Sequence, residues 1–504
     1  MTIIKRWQVR IGAWLVVLFV APAVAVAGTL PWLGVGNAGL RSDVELLAAY
    51  GLVDGPITTW PIPTRQILRG LSDQSRLDAA PPAVRGAAQR VLAHLSHHEG
   101  DQGGNLHPLA MVATTNAPAL VRTFGTQARD QADVGVGGDY DSDWFSARVL
   151  VGGQASYHGH RKTFSPDGSY VGALTGNLQF YGGWLDQWYG PGEVSSLILS
   201  NNARPFPRVG VMRADPQPFQ TRWLSWMGPW QANVFVGVLD GPRIDRNTAF
   251  IGVRVDFQPS PNLEIGLTRE TEICGEHHPC NPVREYFHFN NSAHSTNQTN
   301  DEAGVDVRYT HRIGAYTLVP YIQLMNEDNG PFTHSDTSYL AGSTLTAPFG
   351  ANGAYWSVNF EYADTVPTLN WFSFGDVLHG AAYNNYQYLD GFRYRGRTLG
   401  FSLDSDSRLM ALTWRLTDSG NRRWHLAYYH ADISTPELAA GQAAGSYFVN
   451  VISTTPVTVN VGEAGTTWPI GAMNVSVSLR YMDNTPTPHR GALLAAELAA
   501  TYGF

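Results

Sequence analysis

A two-residue alternation of apolar and polar side chains constrains the fold more than any other feature, and it runs from about residue 113 to the end of the chain. Clear examples are residues 251–258, 356–362 and 474–481. Because successive side chains of a strand point to opposite faces, the alternation predicts β-strands. The polar face carries Arg, Asp, Asn and Gln, and aromatic residues gather at the segment ends. This combination is typical of a transmembrane barrel with an apolar outer wall and a polar lumen.

The length of the alternating region sets the number of strands. Residues 113–504 are enough for about 18 antiparallel strands, at roughly ten residues per strand and as many per connection. The last segment places Leu494 and Leu498 on one apolar face, and the chain ends on Phe504. A terminal strand that closes on phenylalanine resembles the sorting signal of bacterial outer-membrane proteins. We therefore predict an all-β transmembrane barrel over residues 113–504, in the outer membrane of a Gram-negative bacterium.

The composition excludes several other classes of protein. Charged residues make up 15% of the chain, below the ~25% usual for soluble domains. The formal net charge of −8 does not attract a nucleic acid backbone, so no nucleic-acid partner is expected. Lys5 and Lys162 are the only lysines, and neither lies in the Gly-Lys-Ser/Thr of a phosphate-binding loop. No cofactor is expected.

Residues 1–27 have the organisation of a secretory signal peptide. Basic residues precede a short apolar run that ends in Ala-Val-Ala, which matches the three regions of such a peptide. The run is too short for the ~20 residues of a spanning helix. Export leads to an oxidising compartment, where we expect Cys274 and Cys280 to form a disulfide. A metal site with His277 and His278 is the alternative, but the sequence has no second cysteine pair to complete it.

Residues 28–112 follow a helical pattern rather than a strand pattern. Apolar residues recur at helical spacing from Leu40, after a possible Thr64 N-cap, and after the Pro81–Pro82 pair. The pattern predicts three short helices joined by loops that contain Pro and Gly. This small helical bundle is too small to form an independent core.

Several motifs resemble those of the outer-membrane capsule assembly protein Wzi family. The most specific is Ser-Asn-Asn-Ala-Arg-Pro at residues 200–205, and the other matching stretches are residues 188–199, 380–386, 390–397, 31–33, 40–43 and 58–61. The resemblance covers essentially the whole mature chain. It implies a barrel of about eighteen strands, closed on the periplasmic side by the N-terminal helical plug. It also implies a lectin-like protein that holds capsular polysaccharide on the cell.

The segments that carry this resemblance contain the residues that we expect to contact polysaccharide. Aromatic rings stack on the apolar C–H faces of sugars, and amide and charged groups bind hydroxyl or acidic groups. The candidates are Trp188, Asn201, Asn202, Arg204, Tyr383, Asn384, Asn385, Tyr386, Tyr388, Asp390, Arg393 and Arg395. The alternatives remain open: an aromatic girdle for Trp188, a hydrogen-bond network between plug and barrel wall around residues 200–208, and pairing with luminal acids for the arginines.

The sequence contains neither a Gly-x-Ser-x-Gly elbow nor a His-Glu-x-x-His motif. We therefore predict a non-enzymatic, monomeric outer-membrane protein that binds and anchors or organises exported capsular or exopolysaccharide at the cell surface. Membrane lipid is an expected partner, and the polysaccharide export machinery is a further expected contact. A porin or solute channel is a first alternative, although the helical region should occlude its lumen. An outer-membrane hydrolase is a second, because a triad assembled from distant strands leaves no motif.

Overall fold

The computed structural model describes residues 31–96, 105–155, 162–287, 299–327, 337–369, 377–488 and 492–503. The predicted signal peptide, residues 1–27, and the terminal Phe504 lie outside the described residues.

Eighteen antiparallel strands close into one barrel, which confirms the predicted fold class. In chain order they are β1 (Asn105–Thr115), β2 (Ala132–Asp141), β3 (Phe145–Ala155), β4 (Lys162–Ser165 with Tyr170–Thr175), β5 (Leu178–Gly183), β6 (Arg208–Arg213), β7 (Trp230–Leu239), β8 (Thr248–Ser260), β9 (Leu263–Ile273), β10 (Asn300–Tyr309 with His311–Ile313), β11 (Tyr316–Glu327), β12 (Thr337–Phe349), β13 (Ala354–Leu369), β14 (Arg408–Thr417), β15 (Arg423–Ile433), β16 (Val457–Ile470), β17 (Met473–Met482) and β18 (Leu494–Tyr502). Neighbours in the chain pair, and β18 pairs with β1, with Tyr502 opposite Ala110. Closure therefore pairs the sheet edges, as a lipid environment requires.

The alternation in sequence becomes an alternation between lipid and lumen. In β7, Val234, Val236 and Val238 are exposed on the outer wall, whereas Gln231 and Asn233 are buried inside the barrel. An apolar wall needs no hydrogen-bond partner from lipid, so the polar groups collect in the lumen. The barrel therefore has the apolar outer wall and polar interior of an outer-membrane protein.

Several charged residues of the lumen are paired between strands of the wall. Arg254 of β8 contacts Asp306 of β10 at 2.7 Å, and Arg308 of β10 contacts Glu264 of β9 at 2.6 Å. A buried charge is costly unless a partner and hydrogen bonds compensate it, and these pairs supply both. They fix the positions of these side chains in the lumen.

In the described residues, four helices precede the barrel: α1 (Ala38–Ala49), α2 (Thr64–Leu71), α3 (Gln74–Ala79) and α4 (Pro82–Ser96). The sequence predicts three of them. It misses α3 because six residues are too few to display a helical period, although Asp73 caps this helix by accepting from the Arg76 amide at 3.2 Å. Two more helices, α5 (Pro282–Tyr286) and α6 (Pro436–Ala443), lie in loops. None of the helices described is long and apolar enough to cross a membrane.

The four helices form a plug, residues 31–96, at one end of the barrel. Asp43 of α1 accepts a hydrogen bond of 2.8 Å from the Tyr355 hydroxyl at the start of β13. Asn37, which caps α1, accepts from Arg423 at the start of β15, at 2.9 Å. The connections at this end include two-residue turns such as residues 261–262 and 471–472. Short turns mark the periplasmic end of such barrels, so the plug closes the periplasmic side.

The first strand begins earlier than the predicted boundary at residue 113. β1 starts at Asn105 and pairs with β2 along residues 105–114. The alternation is hard to recognise there because Pro108 interrupts it, and proline is disfavoured within strands. Among the described residues, the last plug helix ends at Ser96 and the first barrel strand begins at Asn105.

Candidate functional site

The connection between β5 and β6 turns into the barrel instead of covering its rim. We call residues 184–207 the first lumen segment. The carboxylate of Glu361 on β13 accepts hydrogen bonds from three consecutive amides of this segment, those of Glu193 at 2.8 Å, Val194 at 3.2 Å and Ser195 at 2.7 Å. Three donors converging on one buried carboxylate make a rigid turn, because charge-assisted hydrogen bonds are the strong ones.

A second side chain of the barrel wall holds the same segment. Gln323 of β11 accepts from the Leu197 amide and donates to the Tyr189 carbonyl, both at 2.9 Å. Gly190 has a φ of 124°, and a Cβ atom there would lie 2.6 Å from the Gln323 amide nitrogen. Glycine is therefore required for the close approach of this backbone to the wall.

Trp188 lies between the first lumen segment and the plug. It is fully buried, pairs with Trp60 as part of a two-stranded ribbon, and stacks edge-on against Phe124 at 5.5 Å. Its indole nitrogen donates to the Gly192 carbonyl at 3.1 Å. Trp188 therefore joins plug and lumen segment, and it has no surface to offer to a sugar or to lipid.

The polar candidates of the first lumen segment bind other parts of the protein. The Asn201 amide donates to the Phe124 carbonyl at 3.1 Å, and the Asn202 amide donates to the Thr398 carbonyl at 2.9 Å. Arg204 contacts three carboxylates, and these are Asp130 at 2.6 Å, Asp133 at 2.7 Å and Asp167 at 2.7 Å. These contacts tie the first lumen segment to the loop between β1 and β2, to the connection between β13 and β14, and to carboxylates at β2 and β4.

The connection between β13 and β14 enters the lumen from the outer end, opposite the plug, as the first lumen segment does. We call residues 377–407 the second lumen segment. Tyr383 is fully buried in it, donates to the Leu197 carbonyl at 2.5 Å and accepts from the Phe401 amide at 3.1 Å. Burial raises the pKa of Tyr383 well above its usual range, so the phenol keeps its proton and its donor role. The two lumen segments are therefore packed directly on each other.

Arg393 organises the second lumen segment. Its guanidinium binds Asp404 in a bidentate manner, at 2.7 and 3.1 Å, and donates to the Asn384 side chain at 3.0 Å. Asn384 in turn accepts from the Val449 amide at 3.1 Å. All of these side chains are buried except that of Val449, which is half-buried. A planar guanidinium in such a fork fixes the loop geometry strongly.

Three further candidates fasten the outer loops to this segment. Asn385 donates to Asn300 at 3.0 Å, and the Tyr388 hydroxyl donates to the Cys274 carbonyl at 3.1 Å. The Asp390 carboxylate accepts from the Ile244 amide at 2.7 Å and from the Asp245 amide at 3.1 Å. These bonds bring loop 240–247, loop 274–287 and the second lumen segment to one outer face.

A disulfide joins Cys274 to Cys280 in the second of these loops. The neighbouring His278 stacks on Tyr388 with ring centres 4.0 Å apart and contacts Asp245 at 3.0 Å. His277 points outward and is exposed. Within the described ranges, no group of three or more His, Cys, Asp or Glu side chains is arranged to hold a metal ion.

Of the twelve predicted contact residues, Tyr386 and Arg395 have exposed side chains. Arg246, Arg284 and Phe287 are exposed on the adjoining loops. We call these five residues the outer patch. Tyr386 is 53% exposed and Phe287 is 66% exposed. The sequence does not single out Arg246, Arg284 and Phe287 because loops have no period, although all three flank predicted strands or the cysteine pair.

The lumen below the two segments is not completely filled. A cavity of about 430 Å³ lies between the plug and the wall formed by β14–β18 and β1–β4. Arg129, Arg204, Arg480 and Glu497 are among its lining residues. Arg129 and Arg480 are paired, with Asp186 at 2.7 Å and Glu497 at 2.9 Å. The first lumen segment and the loop at residues 117–129 contribute to the lining of this cavity, among others with Leu185, Asn201 and Thr126.

Comparisons with known proteins agree with this architecture. The model of the capsule assembly protein Wzi family matches residues 102–482. A protein of 55.8 kDa from the cps region of Klebsiella pneumoniae, itself uncharacterised, is 24% identical over 479 residues, which cover 92% of this chain and 88% of the relative. The solved structure of Wzi from Escherichia coli superposes with a TM-score of 0.79 at 21% identity, covering 94% of this chain and 99% of the other. That protein is described as a carbohydrate-binding β-barrel involved in group 1 capsule assembly. Because the family model spans most of the chain, the protein is an outer-membrane member of the capsule assembly protein Wzi family.

Proposed function

We propose that the protein binds the capsular polysaccharide of its own cell through the outer patch and retains it at the cell surface, without catalysing a reaction. The observation that carries this proposal is that the outer patch is exposed on the outer face of the barrel. The two lumen segments occupy the barrel interior below it, and ten of the twelve predicted contact residues are buried or half-buried there, so the outer patch is where a large polymer can make contact. The E. coli relative, described as carbohydrate-binding, supports the same class of ligand.

The outer patch has the chemistry that an acidic sugar requires. The rings of Tyr386 and Phe287 offer apolar surface to the C–H face of a pyranose. The guanidinium groups of Arg246, Arg284 and Arg395 offer paired donors to carboxylate or phosphate groups. We therefore propose an acidic polysaccharide, whose uronic acid, phosphate or pyruvate groups would meet these arginines.

Weak contacts at one site are sufficient for retention. A polysaccharide chain is long and repetitive, so it contacts many copies of the protein on the same cell. Binding of the first copy raises the effective concentration for the next, and avidity exceeds the affinity of a single site. The proposed role needs only a shallow patch on each barrel.

A porin function fits the structure less well. The lumen contains two ordered segments that are tied to the wall by buried carboxylate and amide groups, among them Glu361 and Gln323. Opening a channel would leave these buried donors and acceptors without partners, at a cost of about 1–3 kcal/mol for each. We propose that the segments are permanent elements of the scaffold.

A hydrolase function also lacks support in the described residues. The clearest acid–imidazole pair is Asp406 with His379, at 2.6 Å. The hydroxyl beside this pair, that of Thr435, donates to the same Asp406 carboxylate at 2.7 Å and caps α6 by accepting from the Leu438 amide. A nucleophile has to face the other imidazole nitrogen, which here lies 3.9 Å from the Glu437 carboxylate. The pair is better explained as the anchor of α6.

Removing the three arginines of the outer patch tests the proposal. The triple variant Arg246→Ala, Arg284→Ala and Arg395→Ala should bind an acidic capsule at least tenfold more weakly per site, since the loss of one charge-assisted contact of about 1.4 kcal/mol already gives this factor. The ratio of cell-bound to free polysaccharide should fall accordingly. The measurement is that ratio at equal surface levels of protein.

A matched control removes the same charge elsewhere. The plug variant Arg65→Ala, Arg76→Ala and Arg85→Ala loses three exposed arginines on the periplasmic side. It should retain polysaccharide as the parent protein does. Equal retention by the patch variant and the parent would contradict the outer patch as the binding site.

A further inference from the structure

The connection between β6 and β7, residues 214–229, differs from the other described connections at the periplasmic end. The others are short turns, whereas this one contains a 3₁₀ turn at Ser225–Met227 and several large apolar side chains. Trp223 is 87% exposed, Trp226 is 60% exposed and Leu224 is 40% exposed. A surface in contact with water seldom exposes three such apolar side chains in one turn. Their exposure therefore indicates that a membrane or another molecule covers them.

The connection folds back onto the lipid-facing wall of the barrel. Trp226 packs edge-on against Phe257 of β8 with ring centres 5.7 Å apart. Phe257 points outward, because Arg254 and Asp256 of the same strand point into the lumen. Phe219 stacks on Trp230 of β7 at 4.4 Å, and Trp230 is the cross-strand partner of Phe257. The aromatic turn therefore lies outside the barrel, beside two lipid-facing rings.

Hydrogen bonds fix the connection in this position. The Trp230 amide donates to the Pro216 carbonyl at 3.0 Å, and the Gln258 amide donates to the Pro229 carbonyl at 2.8 Å. Gly228 has a φ of 65°, and a Cβ atom there would lie 2.0 Å from the Gln258 carbonyl oxygen. The turn needs glycine at this point to approach the β8–β9 hairpin.

The base of the connection is also tied to its surroundings by arginines. The Arg213 guanidinium lies 3.6 Å from the centre of the Trp230 ring and donates to the Trp230 carbonyl at 2.6 Å. Asp215 contacts Arg69 of the plug at 2.8 Å. The exposed aromatic turn is therefore a preorganised element linked to both barrel and plug.

We propose that Trp223, Leu224 and Trp226 form an anchor in the phospholipid interface of the periplasmic leaflet. The patch is continuous with the lipid-facing wall through Phe257 and Trp230, so the membrane reaches it without a break. Indole rings favour the boundary between acyl chains and headgroups, and an adjacent exposed arginine, Arg222, can reach a lipid phosphate from there. The anchor fixes the depth of this side of the barrel and, through Asp215 and Arg69, the position of the plug relative to the membrane.

Spin labels on single cysteines, placed on the full-length protein in nanodiscs of phosphatidylethanolamine and phosphatidylglycerol, test this inference. The two native cysteines are joined in a disulfide, so an introduced thiol can be labelled selectively. The test position is Trp223→Cys. Val236→Cys on the outer wall is the lipid reference, and Ala79→Cys at the exposed end of α3 is the water reference. The readout is the collision rate of each label with oxygen, which concentrates in lipid, and with a water-soluble nickel chelate.

The anchor predicts an oxygen-to-nickel ratio at position 223 several-fold above that at position 79 and approaching that at position 236. A ratio equal to that at position 79 would overturn the proposal, because the turn would then lie in water. Protection from both reagents would overturn it as well, since it would indicate contact with protein, such as a second copy. The Leu224→Cys label is a second position that keeps both indoles, and the same outcomes apply to it.

Discussion

Cells that lack this protein are expected to release most of their capsular polysaccharide into the medium while they continue to synthesise and export it. Retention depends on many weak contacts between one polymer and many barrels, and removing the barrels removes all of these contacts together. The expected change is therefore larger than that of any single substitution in the outer patch. It is measured as the ratio of cell-bound to free polysaccharide in the deletion strain and its parent.

The total amount of polymer distinguishes retention from synthesis. We expect it to stay near that of the parent, and the wild-type gene supplied in trans should restore the bound fraction. A loss of total polymer would place the protein in synthesis or export instead. An unchanged ratio would contradict the anchoring role.

Replacing Glu361 by alanine is expected to produce the largest loss of stability among single substitutions in the lumen. The change removes the acceptor of three backbone amides and of the Tyr321 hydroxyl, which donates at 2.8 Å. Each buried donor left unpaired costs about 1–3 kcal/mol, so the total should reach about 3–6 kcal/mol after partial rearrangement. The temperature at which the heat-modifiable folded band disappears in detergent should fall by several degrees.

Two further variants separate the hydrogen bonds from other effects. Glu361→Gln keeps one acceptor oxygen at the same position and should lose clearly less stability than the alanine variant. Glu437→Ala removes a carboxylate that is 61% exposed on α6 and should behave as the parent. Equal stability of Glu361→Ala and the parent would show that the first lumen segment does not depend on this carboxylate.

The barrel could be predicted from sequence because its strands obey one local rule. The side chain of Val236 faces lipid and that of its neighbour Phe235 faces the lumen, so every strand carries a sequence period of two. The number of strands followed from length alone. The sequence places the first strand too late only because Pro108 obscures this period, and it does not predict α3 because that helix is too short to show one.

The lumen contacts could not be predicted in the same way because they join residues far apart in the chain. Asn202 meets Thr398, and Tyr383 meets Leu197, across almost two hundred residues of sequence. From its sequence alone, Trp188 could belong to an aromatic girdle or stack on a sugar ring. In the structure its pairing with Trp60 places it in the interior. A motif rich in Asn, Tyr and Arg marks dense hydrogen bonding, but the direction of each side chain depends on the fold.

Direct binding of polysaccharide by the purified protein is the measurement that tests the central claim. The protein in lipid nanodiscs would be immobilised sparsely and exposed to capsular polysaccharide from its own strain, with a neutral polysaccharide as reference. We predict saturable binding of the capsular polymer that weakens with added salt, as arginine contacts require, and that falls at least tenfold in the triple outer-patch variant. Absence of binding at every polymer concentration, by protein shown to be folded through its heat-modifiable migration, would contradict the account.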